Sequence, residues 1–240
     1  MTSELTRAAI GPRIAAAYTL VCSLALLLLV AASPAAAIDT NGASNADTAR
    51  FLAGMQPSAG SPLEPLAKTA AFRQHAQAFD QSWNRLDNLQ ISRIKAWREK
   101  VMPAPSPNLF YFFSGPDFLY ANAFYPNATT YVMAGLETVG PIPRITESSL
   151  RGLPHVRGSL NTIMNYSFFK TVEMRSRFGS GQFTGTLPIL YVFLARSGMT
   201  VKGAEPVALD NKGAAYVAGE TPEPKAVRGV RIVFAGSDGQ

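Results

Sequence analysis

The feature that most constrains this chain lies at its start. Residues 14–32 read IAAAYTLVCSLALLLLVAA without a single charge, Arg7 and Arg13 precede them, and Ser33-Pro34-Ala35-Ala36-Ala37 follows. Small residues at Ala35 and Ala37 make an A-x-A cleavage site, and Pro34 breaks the apolar helix before it. The expectation is a signal peptide over residues 1–37 and a mature chain exported to the periplasm or beyond. The apolar run is also long enough to span a bilayer, so an inner-membrane anchor over residues 14–32 is the alternative. Membrane association is expected only through this segment.

Cys22 is the single cysteine and sits inside that run. Val21 before it and LALLLLV not far after it argue against a lipoprotein site. Beyond residue 37 there is no cysteine, hence no disulfide, thiol nucleophile or thiolate metal site. An exported domain without disulfides must be held by its core, and about 200 residues suffice for one. The net charge of +6 is spread over the chain with no run of Lys or Arg, so no nucleic-acid partner is expected.

Along the chain, IDTNGASNA and the Gly-, Ser- and Pro-rich stretch at 54–65 make 38–64 a flexible N-terminal segment, apart from a short helix from Asp47. Residues 65–102 carry apolar positions at helical spacing and are expected to form a helical arm, with a kink or turn at Asp87-Asn88. MPAPSPN stops it, and residues 103–240 are expected to form an α/β domain. In that domain LFYFF (109–113) and TTYVMAGL (129–136) read as buried strands joined by a brief helix over 118–124. Two such strands around a helix favour a parallel crossover. A helix from Thr146 to Gly152, a long helix from His155 to about Gly179, a helix over Leu187–Leu194 with a strand as its alternative, and strands at 199–209 and 227–235 complete the reading. The closing SDGQ reads as a turn that longer relatives would follow with another strand. The expected fold is α/β, a small Rossmann-like, mostly parallel sheet with flanking helices.

The order strand, Ser114-Gly115 turn, helix, strand, Glu137 resembles the first β-α-β unit of class I methyltransferases that use S-adenosylmethionine. The resemblance implies that backbone at Ser114 and Gly115 approaches a ligand and that Glu137 grips a ribose. The turn keeps one glycine, Pro116 removes an amide donor, and Asp117 brings negative charge to the place of a ligand anion. The expectation is therefore a scaffold without a cofactor. The stretch FSGPDFLYANAFYPNATTYVMAGLE is also similar to uncharacterised exported bacterial proteins, which implies a secreted α/β chain and no particular activity.

The candidate ligand-binding residues are Ser114, Gly115, Asp117 and Glu137, at one edge of the expected sheet. Arg144, Arg151 and Arg157 flank the loop after the second strand and are expected to pair with the two acids. His75 and His155 are the only histidines; His75 is expected on the solvated side of its helix, and neither has a nucleophile at a fixed spacing. Ser159 and Ser167 lack the G-x-S-x-G setting of a nucleophile. No metal-ligand spacing is present. The expected function is an exported, non-catalytic envelope protein that binds a small molecule or a protein partner. The alternative is a secreted hydrolase or transferase with its site near Asp117 and Glu137.

Overall fold

The computed structural model describes residues 40–102, 107–112, 117–135, 138–166, 183–212, 214–217 and 227–236. The expected signal peptide, with Cys22, and the closing SDGQ lie outside them. Among the described residues no helix is long and apolar enough to cross a membrane.

Helix α1 (Asn45–Leu52) starts on Ser44, whose hydroxyl accepts the Asp47 N–H at 3.0 Å. The Asp47 carboxylate then takes the Ser58 N–H at 2.7 Å and folds the following loop back. Phe51, Leu52, Ala53, Leu63 and Leu66 are fully buried. This corrects the expectation of a flexible 38–64 segment: its polar residues cap and turn the backbone while its few apolar ones enter the core. A single turn, α2 (Glu64–Ala67), leads into α3 (Ala70–Leu86), capped by Thr69.

Helix α3 buries Phe72, His75, Phe79 and Leu86, one stripe at helical spacing. A π-helical turn (Asp87–Ile91) joins it to α4 (Ser92–Val101), at the position of the expected kink or turn. The wider turn shifts the apolar stripe, and α4 buries no residue fully. Because α3 packs on α6 (Leu153–Tyr166), residues 65–86 belong to the common core and are not a separate arm. A 3-10 turn (Glu147–Gly152) leads into α6.

At the centre lies α7 (Leu187–Arg196). It is apolar on every side and buried along its length, with Pro188 in the first turn. It packs against α1, and the Tyr191 hydroxyl donates to Asn45 Oδ1 at 2.8 Å. Just before α7 two loops cross. Gly140 (φ 78°) and Gly185 (φ 79°) meet backbone to backbone, and a Cβ on either would collide with the other loop. The Thr186 and Leu187 amides both donate to Val139 O, at 3.0 and 3.1 Å.

The strands form two sheets. β1 (Asn108–Tyr111) and β2 (Thr130–Met133) are parallel, with α5 (Phe118–Phe124) between them in sequence and Phe110 opposite Val132. The second sheet is antiparallel, in the order β4-β3-β5, from β3 (Thr200–Leu209), β4 (Ala215–Val217) and β5 (Val227–Ala235). Pro206 is tolerated in β3 because among the described residues β4 pairs only with Val207–Leu209, leaving one side of the strand unpaired there. Phe234 of β5 lies edge-on to Phe118 at 5.9 Å and 6.4 Å from Tyr131, so the sheets share a core. The fold is thus mixed helix and strand with a small parallel pair. It is not built on one mostly parallel sheet, since the larger sheet is antiparallel.

The parallel strands also differ from the expected buried pair. Leu109, Tyr111, Tyr131 and Met133 are half-buried, whereas Phe110 is 62 %, Phe112 68 % and Val132 39 % exposed. The pleat sends alternate residues to opposite sides, and only one side meets the core.

Candidate functional site

Of the four residues singled out in the sequence, Ser114, Gly115 and Glu137 lie outside the described residues. Asp117 is described, just before the first turn of α5. Its carboxylate is held from the strand side: the Tyr111 hydroxyl donates to Oδ2 at 2.7 Å. The other oxygen, Oδ1, is buried without a hydrogen-bond partner. Burial pushes the carboxyl up to about pH 6 from an ordinary 3.8, and the Tyr111 hydrogen bond only partly opposes this. The same burial, with the acid beside it, raises the Tyr111 phenol.

The expected arginine pairing with Asp117 does not occur. Arg144 and Arg151 are exposed, and Arg157 reaches the Gln74 carbonyl at 3.5 Å. A buried carboxyl packed among aromatic rings is reached more readily by a neighbouring phenol than by a long cation from a surface loop.

One helical turn beyond Asp117, the Tyr120 hydroxyl donates to Gln90 Oε1 of the π-helical turn. Burial and then the Asp117 charge raise the Tyr120 phenol. The wide turn therefore places an amide against the same corner. Below it, the Tyr131 hydroxyl donates to the Tyr125 carbonyl at 2.5 Å and accepts from Asn122 at 3.1 Å. The corner is a polar core of two phenols, an acid and an amide, walled by Phe118 and Tyr131 at 5.0 Å.

His75 is a correction of a different kind. It is buried, not solvated, and its Nε2–H donates to the Leu52 carbonyl at 3.0 Å while Nδ1 has no partner. Burial, chiefly, pulls its pKa down to about 4, with the charges of Arg157 and Arg196 acting in the same direction. Beside it Arg196 donates to the Ala53 carbonyl from Nε at 2.9 Å and from Nη2, and pairs with Asp80 at 2.6 Å. Its guanidinium lies 5.0 Å over the Phe79 ring. His75 and Arg196 thus hold the last carbonyls of α1, a structural duty. His155 is exposed, and the buried Ser159 hydroxyl donates to its backbone carbonyl at 3.2 Å, so these two form no nucleophile–base pair. Among the described residues no three His, Cys, Asp or Glu side chains converge on a metal position.

The outward face of the parallel pair was missed in the sequence. Phe110 and Phe112 lie side by side at 6.3 Å with Val132 opposite Phe110. The continuous apolar run concealed the alternation, because the outward positions are as apolar as the inward ones. No protein-family model, no curated protein and no solved structure matches this chain.

Proposed function

We propose that the chain is exported and serves in the cell envelope as a non-catalytic binding or structural protein, on a degenerate Rossmann-like β-α-β scaffold. The carrying observation is the outward face of β1 and β2. Parallel strands ordinarily have both faces covered. Here Phe110, Phe112 and Val132 turn to solvent on neighbouring strands. Single exposed apolar residues are common, but adjacent aromatic ones are characteristic of contact surfaces. The test is site-specific photo-crosslinking in intact cells, with the crosslinker at Phe112 and, as control, at the exposed Arg228. A discrete adduct at Phe112 alone is the expected result. No adduct at Phe112, or the same adduct at both positions, would count against a binding role for this face.

A second reading, a transferase or hydrolase with its site at the sheet edge, draws on Asp117. A buried carboxyl that titrates near pH 6 is a common property of catalytic acids. Thermal unfolding with adenosyl compounds, nucleotides, sugars and peptides separates the readings, since a ligand of the native state raises Tm by mass action. A rise abolished by Asp117→Asn with Glu137→Gln would favour the enzyme.

A further inference from the structure

We infer that the Tyr111–Asp117 pair is a proton-controlled latch between the end of β1 and the start of α5, closed when the carboxyl is neutral and released when it ionises. The inference does not depend on whether the scaffold binds a partner or a substrate. It starts from the geometry of the pair. The pleat of β1 turns Tyr111 inward, and Asp117, six residues on, stands at the head of a helix whose Phe118, Leu119, Tyr120 and Ala121 are all buried. A hydroxyl-to-carboxyl bond of 2.7 Å ties this strand to this helix.

An ionised carboxylate offers about four acceptor positions. Here one is filled and the buried Oδ1 has none. Among the described residues no cation offsets the charge. The groups that act on the carboxyl are the Tyr111 phenol from β1 and the Tyr120 phenol from α5, whose hydroxyl is directed to Gln90 of the π-helical turn. Tyr125, at the end of α5, acts only through Tyr111. The Tyr111 and Tyr120 phenols, both raised by burial, are neutral near neutral pH. A bare buried carboxylate is costly, and it is relieved only when water reaches Oδ1. Hydration of Oδ1 draws the carboxyl outward and breaks its single bond to Tyr111. The neutral acid costs far less to keep buried and stays in place. Burial places the changeover near pH 6.

The test is carboxyl-carbon NMR of the full chain, with amide hydrogen exchange corrected for its intrinsic pH dependence. The expected result is an Asp117 midpoint near pH 6. Exchange of the amides from Phe118 to Ala121 should rise about tenfold or more between about pH 5 and pH 7.5. Asp117→Asn, which cannot ionise, should hold the slow exchange at both pH values. Tyr111→Phe, which lacks the link, should exchange fast at both. A midpoint below about 4.5 would overturn the latch. So would unchanged exchange of these amides in the wild-type chain, or an equal rise in Asp117→Asn. Should either variant fail to fold, the wild-type titration and exchange decide alone.

Discussion

One buried and one half-buried group of this protein titrate in the same pH range with opposite consequences, and removing one should expose the other. His75 falls from an ordinary 6.5 to about 4 on folding. Between those values the unfolded chain binds the proton and the folded chain does not, so stability falls as the solution is acidified. At about 1.4 kcal/mol per pH unit the loss is about 3 kcal/mol by pH 4. Asp117 moves the other way, from 3.8 up to about 6. In that window the folded chain holds the proton, so stability falls as pH rises, by about 2–3 kcal/mol once partial solvation is allowed for. The two slopes oppose each other between pH 4 and pH 6.5. The perturbation is Asp117→Asn, and the assay is urea unfolding followed by circular dichroism at several pH values from 4 to 7. The variant should lose about 2–3 kcal/mol more than the wild-type chain on acidification from pH 7 to pH 4. His75→Gln, which keeps a donor for the Leu52 carbonyl, should tilt the profile the opposite way, and the double variant should restore the wild-type shape. The other carboxylates cancel in these differences. Stability profiles of Asp117→Asn and wild type that stay parallel within about 1 kcal/mol would refute the reasoning, because a carboxyl that titrates normally in the folded state has no such slope.

Other outcomes follow from single contacts. Gly140→Ala should cost about 2 kcal/mol or more, since its Cβ meets the backbone of Thr184 and Gly185, whereas Gly42→Ala, also at positive φ but in open space, should cost about 1 kcal/mol; thermal unfolding separates them. Arg196→Met should lose about 2–4 kcal/mol by uncapping Ala53 and stranding α1, while Asp80→Asn, whose side chain is 55 % exposed, should lose less than about 1 kcal/mol in chemical denaturation. Phe79→Ala should cost about 3–5 kcal/mol from a fully buried site, and Phe112→Ala about 0.5 kcal/mol or less, by the same assay.

Much of the local structure was legible in the sequence, and the reasons for the misses are physical. The strands expected at 199–209 and 227–235, and the helix expected over 187–194 with a strand as its alternative, are present as β3, β5 and α7. The parallel order of β1 and β2 followed from the intervening helix. Their burial did not, because LFYFF reads alike on both faces and coverage is a tertiary matter. His75 shares a stripe with Phe72 and Phe79, not the charged, solvated side of the helix where it is expected. That pattern held the signal, since a polar residue at a stripe position needs a local carbonyl, and Leu52 supplies it. Asp117 was legible as a helix-start residue. Its partner was not, because whether Tyr111 points inward depends on the register of the pleat. The three-residue β4 and the separation into two sheets leave too short a pattern to read.

The bonds that hold α1 span most of the chain. Its first residue is tied to Tyr191, the residue just after it to Arg196, and Thr40 ahead of it to the Ile145 carbonyl. Synthesis begins at this end of the chain. The first of the described helices to leave the ribosome therefore has none of these partners until the chain past residue 196 has followed it. Such late closure makes for slow folding, because loop entropy must be overcome before the contacts reward it. The segment from Thr40 to Leu52 thus waits for partners that lie about 100 to 150 residues further along the chain.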